Sequence, residues 1–214
     1  MLEFDIYCIE IAISGGIGLK RLAVFCGSSS GASEVYTLGA IQLGKELARR
    51  NITLVYGGSS IGLMGVLADT VLREGGQVIG VIPKVLEERE ISHKGLTQLI
   101  TVETMHERKA KMADLADGFI VMPGGAGTLE EFFEVFTWGQ IGLHQKPCGL
   151  LNINQFYRPL IQLFDHMVEQ KFLQKKYLAI AIVEEQPDTL IERFADYTPP
   201  AIKSYDKDKE VSAK

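Results

Sequence analysis

Cysteine and histidine are scarce in this chain and fall in no useful pattern. Cys8, Cys26 and Cys148 are odd in number, widely spaced and flanked by apolar residues. That argues against a disulfide framework and for small buried hydrophobes in a reducing compartment, the cytoplasm. His93, His106, His144 and His166 show no metal-ligand spacing with them, and His106-Glu107-Arg108-Lys109-Ala110 lacks the second His of a zinc helix. Neither a metal nor a cofactor is expected. Basic charge is short as well: 22 Lys and Arg against 27 Asp and Glu leave a net charge of −5, so there is no general footprint for nucleic acid. A membrane span would need about 20 consecutive apolar residues, and the apolar stretch from Ile6 to Ile13 is broken by Glu10 and preceded by Glu3 and Asp5. The same segment, Met1 to Gly18, lacks the basic start and small-residue cleavage site of a signal peptide. An added edge strand, a flexible extension and a translated leader all stand open for it.

What the chain does have is 46% apolar and 23% charged residues over 214 positions, enough for one α/β domain with a full core. The expected division is an extension over 1–18, a single domain over 19–197 and a flexible tail over 198–214, where Pro, Lys and Asp accumulate. From Leu22 onward, short apolar runs alternate with helical segments, the pattern of a doubly wound parallel sheet of seven strands with helices on both faces. The strands are expected at Leu22–Cys26, Thr53–Tyr56, Val78–Ile82, Leu99–Val102, Gly118–Met122, Cys148–Leu151 and Ile180–Val183. Helices are expected over Ser33–Arg50, from the second glycine turn to Arg73, over Glu103–Leu115, from Thr128, over Phe156–Gln170 and over Pro187–Phe194. In the first of these, Leu38, Ile41, Leu43 and Leu47 form the inner side. The charged stretch Lys84–Gly95 reads as an exposed lid or entry loop.

The central stretch is Val121-Met122-Pro123-Gly124-Gly125-Ala126-Gly127-Thr128-Leu129-Glu130-Glu131. A strand feeds a glycine-rich turn that opens into a helix, so backbone N–H groups can hold an anion with no Cβ in its way. Two carboxylates follow at once. They would repel a phosphate held alone, which points to chemistry at an adjoining atom. Thr128-x-x-Glu131 also fits a capping box, a purely structural reading. Two further polar turns, Gly27-Ser28-Ser29-Ser30-Gly31 and Gly57 to Gly65, follow the first and second strands, and all three would meet at the carboxyl edge of the sheet, where ligands bind in such folds. The Gly57–Gly62 run is not a clean G-x-G-x-x-G and no P-loop Lys follows any turn, which disfavours a redox dinucleotide and a triphosphate hydrolase. Arg108, Lys109 and Lys111 open the helix before the central strand. They form either a solvated basic face or, with Arg108 as the fork, a phosphate or reacting-group clamp.

Pro123-Gly124-Gly125-Ala126-Gly127-Thr128-x-x-Glu131, Met105-His106-Glu107-Arg108-Lys109 and Tyr56-Gly57-Gly58-x-x-x-Gly62-Leu63-Met64-Gly65 together resemble the LOG ("Lonely Guy") family of cytokinin riboside 5′-monophosphate phosphoribohydrolases, formerly labelled lysine decarboxylases. The likeness runs from Lys20 to Tyr197. It implies a Rossmann-like homodimer, with a larger assembly of dimers left open, that hydrolyses the N-glycosidic bond of a purine nucleoside 5′-monophosphate, AMP or N6-modified AMP. By the resemblance, Arg108 and Glu131 are the catalytic pair, and Ser28, Gly58, Met105, Lys109, Gly124, Gly125, Gly127 and Thr128 bind substrate. Ser59 and Ala126 depart from the family pattern, where a third glycine and an aromatic are common. Glu130 competes with Glu131 for the catalytic role, since adjacent helical residues point about 100° apart. A non-catalytic nucleotide or cofactor carrier of the same fold is the alternative. Independently, Leu129, Phe132, Phe133, Val135, Phe136, Trp138, Ile141 and Leu143 place apolar side chains around more of their helix than one sheet requires, so a second subunit is expected to cover the surplus.

Overall fold

A computed structural model of the chain describes residues 18–88 and 91–203. Of the segment 1–18, all but Gly18 lies outside the described residues, as does the tail beyond Lys203. Seven strands form one parallel sheet: β1 (Arg21–Phe25), β2 (Thr53–Tyr56), β3 (Val78–Pro83), β4 (Gln98–Val102), β5 (Gly118–Val121), β6 (Cys148–Leu151) and β7 (Ala181–Glu184). Their spatial order is β4-β3-β2-β1-β5-β6-β7. The helices are α1 (Glu34–Arg49), α2 (Gly62–Arg73), α3 (Lys84–Glu87), α4 (Met105–Leu115), α5 (Ala126–Ile141), α6 (Arg158–Glu169) and α7 (Pro187–Ala195).

The apolar continuity of the strands is explained by burial on both faces. Along β1, Leu22 and Val24 join Leu43 and Leu47 of α1, Leu67 of α2 and Leu190 of α7. Ala23 and Phe25 point the other way, into a cluster with Met112 of α4, Phe132 and Phe136 of α5 and Phe164 of α6. This second layer is aromatic at its centre, with the Phe164 ring 5.0 Å from that of Phe136 and 6.0 Å from that of Phe132. Truncating any of the three to Ala would cost about 3–5 kcal/mol.

Several expectations change. Leu38 is exposed rather than inward, because α1 turns Gly39, Ala40, Leu43, Gly44 and Leu47 to the core. A Cβ on Gly44 would press on Thr70 of α2, so glycine sets the close approach of the two helices. Helix α5 starts at Ala126 after an N-cap at Gly125, not at Thr128, and no side chain caps it. Thr128 is therefore inside the helix, and the Thr128/Glu131 capping box does not form. A variant of that box forms at Thr104/Glu107: the Glu107 N–H donates to Thr104 Oγ1 at 3.1 Å, and the Glu107 carboxylate accepts at 3.0 Å from the N–H of Glu103, one residue before the cap, rather than from that of Thr104. Lys84–Gly95 is held down at its end, where the Ser60 N–H donates to Ile91 O and the His93 N–H to Gly58 O, both at 2.9 Å.

The surplus apolar surface of α5 is partly covered by the chain itself. Phe133 lies 5.9 Å from Phe164 on α6, while Ile141 and Leu143 stay exposed. Beyond α7, the chain runs back to α5, where the Lys203 N–H donates to Gln140 O. Among the described residues no helix is long and apolar enough to cross a membrane.

The topology positions the site. The chain builds outward from β1 to the edge strand β4, and α4 then returns it across the sheet to β5 on the far side of β1. Strand order reverses between β1 and β5, so the loops leaving those strands diverge and open a crevice at their carboxyl ends.

Candidate active site

The three turns interlock at that crevice. The Gly27 N–H after β1 donates to Pro123 O after β5 at 3.1 Å, and the Leu63 N–H at the start of α2 donates to Gly27 O at the same distance. Gly62 adopts φ +59°, and a Cβ there would overlap the Ser28 backbone. Between the turns lies a cavity of about 310 Å³. Ser28, Met64, Met105 and Arg108 form one side, and the first turns of α5, from Gly125 to Glu131, form the other.

The glycine turn divides into supporting and open positions. Gly124 is packed, since a Cβ would overlap the Thr128 side chain, and it lines a smaller neighbouring cavity. Gly125 and Gly127 have no heavy atom within 4 Å of a built Cβ, and neither has a positive φ. Neither folding strain nor packing asks for glycine at these two positions. What glycine provides there is close access to the backbone, next to the N–H groups of Ala126, Gly127 and Thr128 that the helix leaves without intrahelical partners. Beneath the turn, the Tyr157 hydroxyl donates to Met122 O at 2.6 Å and fixes its height.

Facing this turn, Arg108 and Glu131 form a buried ion pair, Nη1 to Oε1 at 3.2 Å, with the residues 9% and 8% exposed. The Thr104/Glu107 box fixes the first turn of α4 and so aims Arg108. Its Nε donates to Val81 O of β3 at 3.2 Å, and its other end passes over Gly57, where any Cβ would fall inside the guanidinium. A basic residue on a solvated face was one reading of Arg108; the burial and these three attachments exclude it. Burial pushes the Glu131 carboxyl up to about 7, and Glu130 and Glu134 on the same helix add to that rise, while Arg108 and Lys109 oppose it. A carboxyl that titrates near neutrality in a cleft is suited to acid–base or charge-stabilising work.

Of the residues singled out from sequence, Ser28, Met105, Arg108, Gly125, Gly127, Thr128 and Glu131 line this cavity. Gly58 does not: it serves the backbone, with φ +76°, and a Cβ there would press on Ile82. Lys109 does not either, because its ammonium ends between Glu130 and Glu134. Glu130 lines the cavity but points its carboxylate to Lys109, half exposed, whereas Glu131 faces Arg108. Sequence reasoning passed over Met64 and Cys26, which also line the cavity, and over Gly57, which admits Arg108. The Thr-x-x-Glu spacing at Thr104 was a readable signal for the cap; nothing local marks Gly57 over Gly58.

Comparison with known proteins places this site in a family. Residues 64–194 match the family described as possible lysine decarboxylase. The chain is 47% identical over 190 residues to the probable cytokinin riboside 5′-monophosphate phosphoribohydrolase LOGL2 of Oryza sativa subsp. japonica, covering 89% of this chain and 78% of that one. It is 48% identical over 180 residues to cytokinin riboside 5′-monophosphate phosphoribohydrolase LOG1 of Arabidopsis thaliana, covering 84% of each. Among solved structures, the molybdenum cofactor binding protein from Rippkaea orientalis shares the fold, with a TM-score of 0.62 at 20% identity over 81% of this chain and 93% of that one. With about half of its residues shared over most of its length and the matching motifs gathered at one cavity, the chain belongs to the LOG family of cytokinin riboside 5′-monophosphate phosphoribohydrolases.

Proposed function

We propose that this protein hydrolyses the N-glycosidic bond of a purine nucleoside 5′-monophosphate, AMP or its N6-modified forms, to the free base and ribose 5-phosphate. The observation that carries this reading is the buried Arg108–Glu131 pair, 3.2 Å apart, opening onto the same cavity as a glycine turn with bare backbone. The phosphate sits on the N–H groups of Ala126, Gly127 and Thr128 at the positive end of α5, with Ser28 at its side. Anchored there, the sugar presents C1′ to Glu131, and binding energy from the phosphate positions the reacting carbon. As the bond to the base breaks, positive charge develops on the ribose ring, and the Glu131 carboxylate stabilises it. The oxygen of water ends on C1′ and one of its protons on the departing base nitrogen. Arg108 holds the carboxylate in place and favours its ionised form. Met64 and Met105 offer polarisable thioethers to the face of the base.

The protein works in the cytoplasm on this reading, in keeping with the free buried thiols of Cys26 and Cys148. It works as a homodimer, supported by the apolar side chains that the chain leaves uncovered beside α5 and α6: Ile141, Leu143, Leu163 and Phe172, the last 88% exposed. The direct test is incubation with AMP, followed by chromatography for adenine and ribose 5-phosphate in equal amounts. Binding of AMP with no adenine released would instead leave a carrier of the same fold.

A further inference from the structure

Lys109 is 7% exposed, and a buried ammonium is held only where partners compensate it. Those partners all lie on α5: Nζ donates to the Glu130 carboxylate and, at 3.2 Å, to Glu134 Oε1. Successive residues of α4 therefore clasp successive residues of α5. Arg108 takes Glu131, and Lys109 takes Glu130 together with Glu134 one turn further on. Because Glu130 and Glu131 stand about 100° apart around the helix axis, the two clasps set the roll of the first turns of α5, adding to the hold of Phe132 and Phe136 in the core.

We propose that Lys109 is a positioning residue that acts through Glu130 and Glu134: it fixes the roll of α5 against α4 so that Glu131 meets Arg108, and it offsets the two carboxylates beside Glu131. The inference rests on the hydrolase reading above for its kinetic consequence, though not for its electrostatic one. The groups facing Glu131 are Arg108 and Lys109 from α4, Glu130 and Glu134 from its own helix, and the Cys26 thiol at the end of β1. Glu130 and Glu134 favour its protonated form, and the two cations favour its ionised form. Burial pulls the Lys109 ammonium down, but its two carboxylate partners outweigh that and leave it raised, so it stays charged at neutral pH.

Opposite signs follow for two substitutions. Lys109→Met moves the Glu131 midpoint up by about one pH unit, and Glu134→Gln moves it down. The experiment reads the Glu131 carboxyl by ¹³C NMR titration of the ligand-free protein, and separately the acid limb of kcat/KM for AMP, in the parent, Lys109→Met, Lys109→Arg and Glu134→Gln. Both readouts should move together, with about a tenfold loss of kcat/KM below the limb in Lys109→Met and recovery in Lys109→Arg. Midpoints that stay put in both Lys109→Met and Glu134→Gln overturn the proposal. So does a Lys109→Met loss that vanishes when the nucleoside without its phosphate replaces AMP, which would make Lys109 a direct phosphate ligand. Should Lys109→Met fail to fold, Glu134→Gln still tests the sign. Midpoints that shift as stated, in a protein that releases no base from AMP, would retain the clasp and remove the hydrolase reading.

Discussion

On the proposed reading, Glu131 is the residue on which stability and function pull against each other. Its carboxyl lies near 7 in the folded chain against an ordinary 4.5. With the folded value raised, its contribution to stability is fully present below about 4.5 and is lost as pH rises through about 7. Replacing it with the neutral isostere in Glu131→Gln should therefore stabilise the protein at pH 8, by up to about 3 kcal/mol, and leave it unchanged near pH 4. Thermal melts of both proteins at the two pH values check this; parallel pH dependence would contradict it. Arg108 has the opposite profile. Read as an exposed basic residue it would cost little to remove, but its guanidinium is buried against Glu131, so Arg108→Ala strands a carboxylate. We expect a loss of about 3 kcal/mol at pH 8, smaller at pH 5 where Glu131 is protonated, and turnover lost at either pH. A charge-retaining Arg108→Lys should recover stability more than activity, because an ammonium cannot bond Val81 O and Glu131 at once as the planar guanidinium lying over Gly57 does.

At the scale of elements, the strands were legible to within a residue or two because each is a short apolar run stopped by a turn. The run Cys148–Leu151 ends where its apolar character ends. Helix starts were harder. Three Thr-x-x-Glu spacings occur, and only the contacts show that Thr104 caps α4, while Thr189 sits inside α7 and Thr128 inside α5, where the first turn is glycine-rich and uncapped. Burial of Arg108 and Lys109 was not legible either, since the three carboxylates that compensate them lie on a helix more than twenty residues later. The neighbouring glycines give a paired prediction. Gly57→Ala displaces Arg108 and should abolish turnover, with a loss of stability at pH 8 like that of Arg108→Ala. Gly58→Ala forces a side chain into φ +76° and should cost about 1–2 kcal/mol while keeping turnover. Differential scanning fluorimetry alongside an adenine-release assay separates the two, and matching phenotypes would show that the Arg108 path over Gly57 does not matter.

Over the whole molecule, the sheet order explains why residues from four separate segments share one cavity: the reversal between β1 and β5 brings the turns after β1, β2 and β5 together, and α4 carries Arg108 back to them. The surplus apolar surface of α5 was visible in the sequence, but its cover by Phe164 of α6 was not, because that contact spans about thirty residues of chain. The remaining exposed patch predicts a dimer of twice the 23.6 kDa chain mass by light scattering at micromolar concentration, weakened by Leu143→Asp or Phe172→Asp. A fully active monomer would contradict it. The central claim, that Glu131 is chemical rather than structural, is tested most directly in one variant by two readouts. Glu131→Gln should bind AMP in calorimetry with an affinity within about threefold of the parent and release adenine at least about a thousandfold more slowly; release at near-parent rates would contradict the account.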